Sequence, residues 1–156
     1  MPARAIDIAD IDAHVGAELG VSGWFELTQE RIEAYAASVE DRHWMHVDLP
    51  RAKREIGCTV APGLMTLGLL FHLRDGIVRF GGYALNWNYG FDRLRFTQPV
   101  PAGARIRLRL ELLAADRRPD GVLLRTQCTF ELEGSAKPAL VAEHLSLYLT
   151  RAGGAP

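Results

Sequence analysis

Paired cysteines, clustered histidines and a surplus of basic charge are all missing from this chain of 156 residues. Its two cysteines, Cys58 and Cys128, stand far apart and neither belongs to a Cys-x-x-Cys pair. A structural zinc site or redox motif therefore has no support, and both are expected as buried, reduced thiols. The five histidines (His14, His43, His46, His72 and His144) are scattered, with no His-Glu-x-x-His spacing, so neither a catalytic metal nor any other cofactor is expected. Lysine and arginine number 18 against 19 acids, a net charge of -1, which leaves no global excess to hold a nucleic-acid backbone. The opening "MPARAIDIADID" carries acids where a secretion signal needs an apolar segment. The longest apolar run, "VAPGLMTLGLLFHL", contains Pro62 and His72 and is shorter than a membrane span. The expected location is the cytoplasm, with neither nucleic acid nor membrane as a partner.

What the chain does have is a composition for folding: 48% hydrophobic and 24% charged residues, enough to bury the core of one domain spanning 1–156. "TQERIEAYAASVE" predicts a helix, with Thr28 as N-cap and a core-facing stripe of Ile32, Tyr35, Ala36 and Val39. "HVDLPRAKREIGCTVAPG" reads as irregular. From Pro62-Gly63 a second helix is expected, running Leu64 to about Arg79, apolar on nearly all sides and therefore buried; His72 on it reads as a core histidine. Beyond residue 82 the period changes to two. "RIRLRLELLAA" places Ile106, Leu108, Leu110 and Leu112 on one face, with Arg105, Arg107, Arg109 and Glu111 on a solvated one. "DRRPDG" is a hairpin connection, "VLLRTQCTFELE" alternates again, and "ALVAEHLSLYLT" is apolar on both faces, as an interior strand would be. With "YALNWNYGFDRLRF" these make at least four consecutive antiparallel strands after the helices, and "VSGWFEL" is a candidate for an early strand of the same sheet. The fold class is α+β, a curled antiparallel sheet covering an apolar helix.

Four stretches, "SVEDRHWMHVD", "TVAPGLMTLGLL", "NYGFDRLRFTQPVPAGARIRLRLELL" and "KPALVAEHLSLYL", resemble in order and spacing the MaoC-like dehydratases, above all their nodulation-protein-N-like branch. The similarity covers roughly residues 16–150. It implies the hotdog fold, a long helix wrapped by an antiparallel sheet, commonly in a homodimer. It also implies the catalytic pair of an (R)-specific enoyl-CoA hydratase of fatty acid metabolism, and the matching positions are Asp41 and His46.

Adding water to a 2-enoyl thioester needs a base for the water proton, an acid for the α-carbon and donors for the developing enolate oxygen. Asp41 at the end of the first helix and His46 in the loop after it can converge on one water. Trp44 and Met45 would then supply an apolar wall that excludes bulk water and accommodates an acyl chain. His43, in the same loop, is expected to be exposed; the orientation of His144 stays open. Where many relatives read His-Gly, this chain has Pro62-Gly63. The Gly63 N–H at a helix start can donate to a thioester oxygen, whereas Pro62 offers no side-chain hydrogen bond. Asn88 and Tyr89 match an Asn-Tyr-Gly of the branch and are candidates for the mouth of the site, with a strand bend at Gly90 as an equally good explanation. Arg93 and Arg95 are candidates for the coenzyme A phosphates. Three functions follow: a hydratase acting on an acyl-CoA thioester, a hotdog thioesterase, and a non-catalytic acyl-thioester-binding subunit.

Overall fold

The computed structural model describes residues 3–150. Strand β1 (Arg4–Asp7) leads through a 3-10 turn (Ile8–His14) to two short strands, β2 (Glu18–Val21) and β3 (Phe25–Glu26). Five helical segments follow: α1 (Gln29–Ser38), α2 (Trp44–Val47), α3 (Leu49–Ile56), α4 (Gly63–Gly68) and α5 (Leu70–Asp75). Strand β4 (Val78–Gly81) then precedes four long strands, β5 (Leu85–Phe96), β6 (Arg105–Arg118), β7 (Gly121–Leu132) and β8 (Leu140–Leu149).

The main sheet is antiparallel throughout, in the order β2-β6-β7-β8-β5, with β3 also on β6. Its order follows from the turns. Pro119-Asp120 closes a tight hairpin in which Arg118 pairs with Gly121, and the 133–139 turn returns the chain so that β8 lies between β7 and β5. The even-numbered residues of β7, and those of β6 as far as a bulge after Leu112, face the core: Ile106, Leu108, Leu110, Leu112, Val122, Leu124, Cys128 and Phe130 are all fully or almost fully buried. On the opposite face the arginine row is solvated and paired, Arg107 and Arg109 with Glu131 and Arg105 with Glu133. The curled sheet around α4 and α5 is the predicted α+β arrangement.

The helical layer departs from expectation in several places. The second helix stops at Asp75, a full turn early, and is broken at Leu69. Gly76 ends it, and the β-branched pair Ile77-Val78 suits an extended chain; Val78 and Arg79 enter β4, which pairs in parallel with β1 in a separate two-stranded sheet. This helix is also not covered all round: Leu64 is 60% exposed and His72 lies at the surface, its ring against the edge of Phe25. The stripe of α1 holds at Ile32 and Ala36, but Val39 is the C-cap and is 52% exposed. The segment read as irregular contains α3, capped by Asp48, started by Pro50 and ended by Gly57 in the left-handed region (φ 91°). Cys58 is exposed, and only Cys128 is a core thiol, with burial pushing its pKa up to about 11.

Candidate active site

The turn after α1 sets the acid. Glu40 adopts a left-handed conformation (φ 57°), and the Asp41 N–H then reaches back 2.9 Å to the Ala36 carbonyl. This closes the helix in the manner of a C-terminal cap. One Asp41 oxygen, Oδ1, accepts from the His43 N–H at 3.2 Å, which leaves Oδ2 facing His46 Nε2 at 3.8 Å. That gap exceeds a direct hydrogen bond, and one water can bond to both atoms. The His46 side chain is 13% exposed and that of Asp41 41%.

His46 lies in the single-turn helix α2, not in open loop. The His43 ring caps that turn, accepting from the Met45 N–H at 3.4 Å, and is itself exposed as expected. The 57–61 segment then clamps α2 from the other side. The Val60 N–H donates to the Met45 carbonyl at 3.0 Å, and His46 Nδ1 lies 2.6 Å from the Val60 carbonyl. A carbonyl can only accept, so Nδ1 carries a proton, and Nε2 faces Asp41. Gln29 completes the clamp: its Nε2 donates to the His46 carbonyl at 3.0 Å while its Oε1 accepts from the Thr59 hydroxyl at 2.5 Å. Gln29, Thr59 and Val60 were not among the sequence candidates.

His46 forms one wall of a cavity of about 370 Å³ with Met45, Val60, Gly63, Thr66 and Phe96 among its lining residues. Pro62 is the N-cap of α4, buried, with φ −56° suited to a proline. Its carbonyl accepts from the Met65 and Thr66 N–H groups at 3.1 and 3.2 Å. Among the described residues nothing accepts from the Gly63 N–H. Gly63 also has a steric reason to lack a side chain, since a Cβ would lie 2.8 to 3.0 Å from three ring atoms of Phe96. Neither Asp41 nor Trp44 is among the residues that line the cavity, and the half-buried Trp44 ring carries the Arg51 guanidinium 4.6 Å from its centre.

Asn88 and Tyr89 are on β5, many residues from Phe96, and the single chain does not bring them to this cavity. The sheet register slips between Asn88 and Gly90, so the strand bends there. Tyr89 is exposed at the bend, with the Arg118 guanidinium 5.5 Å from its ring. Asn88 accepts from His144 at 3.0 Å. His144 faces the core, stacked on Phe91 with Ser146 beside it; burial, with the Arg74 charge, pushes its pKa down to about 4. Arg93 pairs with Glu143 at 3.0 Å, and Arg95 donates to the Leu94 carbonyl. A larger hollow of about 490 Å³ on the outer sheet face holds Trp24, Arg107 and Glu131, but its two charges neutralise each other at 2.6 Å. Among the described residues no three potential ligands converge to hold a metal ion, and no helix is long and apolar enough to cross a membrane.

The MaoC-like domain model matches residues 10–126. The chain is 40% identical over 144 residues to 3-hydroxyacyl-thioester dehydratase Z of Mycobacterium tuberculosis, covering 91% of this chain and 95% of the relative. It is 36% identical over 146 residues to nodulation protein N of Rhizobium meliloti, covering 91% of each. Among solved structures, the unliganded R-hydratase of Pseudomonas aeruginosa superposes with a TM-score of 0.68, covering 91% of this chain and 90% of that one. At 21% identity that likeness speaks to the fold, a hotdog.

Proposed function

The chain belongs to the MaoC-like dehydratase family and is a hydro-lyase, and we propose that it adds water reversibly across the double bond of a 2-enoyl-CoA thioester to give the (R)-3-hydroxyacyl thioester. The observation that carries this reading is the hold on His46: its Nδ1–H is fixed by the Val60 carbonyl at 2.6 Å, and its Nε2 faces Asp41 Oδ2 across 3.8 Å. A water between them gives one hydrogen to the carboxylate as a hydrogen bond and the other to Nε2. The water oxygen bonds to C3, the proton taken by Nε2 passes to C2, and the remaining hydrogen stays on the new hydroxyl. Charge that collects meanwhile on the thioester oxygen meets the unused Gly63 N–H, and the apolar part of the cavity wall, Met45, Val60 and Phe96, receives the acyl chain. The reaction uses no cofactor; coenzyme A is the carrier of the substrate.

The proposed assembly is a homodimer of a cytoplasmic enzyme. The outer edge of β5 is twelve residues long and unpaired among the described residues, and Trp87, Tyr89, Phe96 and Leu64 are exposed. A second copy pairing through this edge would satisfy the free backbone groups and cover the apolar side chains. Asn88, Tyr89, Arg93 and Arg95, all on β5, would then be brought towards the partner's acyl-CoA. The test of the reaction is to incubate the protein with crotonyl-CoA and longer 2-enoyl-CoAs while following loss of enone absorbance and release of free thiol together. Hydration removes the enone without releasing thiol. Thiol release would mark a thioesterase, and no reaction with retained acyl-CoA binding would mark a binding subunit.

A further inference from the structure

Thr66 presents an anomaly in the wall of the cavity. The residue is 1% exposed, yet its hydroxyl has no hydrogen-bond partner. A helical threonine normally turns such a hydroxyl to the carbonyl four residues back. Here that carbonyl belongs to Pro62 and already accepts from both the Met65 and the Thr66 N–H groups, which occupies its two lone pairs. A buried hydroxyl left without a partner is destabilising and calls for an explanation, since buried polar groups are almost always satisfied.

Geometry supplies one. Thr66 is three residues after Gly63 in α4, so both lie on one face of the helix. The backward tilt of helical Cβ atoms leans the Thr66 side chain over the turn that begins with Gly63. The two χ1 rotamers open to a helical threonine exchange hydroxyl and methyl in the cavity wall, so the hydroxyl can turn to an acceptor that enters. An acceptor without hydrogens of its own, beside a free N–H, is what the oxygen of a thioester would be.

We infer that the Thr66 hydroxyl is a second donor to the thioester oxygen of the substrate, acting with the Gly63 N–H. This rests on the proposed acyl-thioester substrate. The bond strengthens as that oxygen gains charge, so it contributes more to the rate than to binding.

The test compares Thr66→Val, which keeps the shape and removes the donor, with Thr66→Ser, which keeps the donor. Three quantities are read: kcat and KM with crotonyl-CoA, Kd for butyryl-CoA by calorimetry, and Tm. The valine variant should lose about 10- to 100-fold in kcat and bind butyryl-CoA roughly 3- to 10-fold more weakly, while the serine variant stays within about threefold of wild type in both. Because valine removes an unsatisfied group, its Tm should rise by about 2 °C or more. A valine variant with kcat and Kd both within about twofold of wild type overturns the inference. So does one whose Tm falls and whose activity loss merely follows the loss of folded protein, since the hydroxyl would then be a structural contact. If the wild type hydrates no enoyl thioester, the proposed reaction fails separately, and an unchanged butyryl-CoA Kd in the valine variant would still refute the Thr66 contact.

Discussion

Replacing Gly63 with alanine sets two opposed effects against each other. The backbone of Gly63 is not in the left-handed region, so alanine fits its conformation, and near a helix start the exchange should stabilise by up to about 1 kcal/mol through propensity. The added Cβ, however, falls 2.8, 2.9 and 3.0 Å from Cδ1, Cε1 and Cγ of Phe96. Ordinary contact needs about 3.5 Å or more, so the ring must move by at least half an ångström, and overpacking of this kind costs about 1 to 3 kcal/mol. The expected net result is a loss of up to about 2 kcal/mol in wild-type background. Phe96 is 47% exposed, so the ring can swing outward and the cost should lie toward the low end. In a Phe96→Ala background the clash is gone, and Gly63→Ala should become neutral or stabilising. Urea denaturation of the four proteins gives the coupling energy, expected at about 1 to 3 kcal/mol. Activity should respond in the wild-type background, where movement of the first α4 turn misplaces the Gly63 N–H and kcat should fall roughly 10-fold or more, whereas in the Phe96→Ala background Gly63→Ala should cost little further activity. Gly63→Ala that stabilises the wild type, with no coupling to Phe96, would refute the packing argument. A loss of activity as large in the Phe96→Ala background as in wild type would refute the link between the clash and the position of the N–H.

Other outcomes follow from the same geometry. Gln29→Ala removes the bond to the His46 carbonyl and leaves the Thr59 hydroxyl without its acceptor; kcat for hydration should drop about 10-fold with little change in KM, and Gln29→Glu should not restore it, because a carboxylate cannot donate to a carbonyl. His144 binds its proton at about pH 4 when folded against an ordinary 6.5, so the unfolded chain takes up the proton first as pH falls. Stability from this residue is therefore intact above about pH 6.5 and lost progressively towards pH 4, by on the order of 3 kcal/mol. Denaturation midpoints of wild type and His144→Gln should converge over that interval, and parallel curves would contradict the assignment. Light scattering at micromolar concentration should give the mass of a dimer, and Trp87→Asp together with Tyr89→Asp on the β5 edge should shift it towards the monomer.

The centre of the sheet was legible because β6 and β7 keep one period over most of their length. Ile106, Leu108, Leu110 and Leu112 alternate without interruption, and all four are buried where the alternation puts them. The helical layer was harder. In α3 only Ala52 is buried, so there was no apolar stripe to read, although Asp48, Pro50 and Gly57 mark its ends. At the other extreme, the largely apolar run from Leu64 to Leu73 hid the break at Leu69, and the apolar pair Ile77-Val78 beyond Arg74-Asp75-Gly76 made the helix look a turn longer than it is. His72 and Leu64 looked like core for the same reason, but one side of α4 and α5 is left open by the single chain. At the site, Asp41, His46 and Gly63 were indicated by family resemblance. Their supports were not, since Gln29, Thr59 and Val60 act through bonds that span 14 to 30 positions. No local pattern encodes such bonds. Thr66 is similar: only the double use of the Pro62 carbonyl reveals that its hydroxyl is spare.

The pairing of Asp41 with His46 on one water is the claim on which the account depends. Its most direct measurement is the initial rate of crotonyl-CoA hydration by Asp41→Asn, His46→Ala and the double variant, each first shown to be folded by circular dichroism. Both single variants should lose at least about 100-fold in kcat, and the double variant should lose little more than the worse of the two, because groups that act on the same water are not additive. Rates within a few-fold of wild type in either single variant, or losses that multiply in the double, would contradict it.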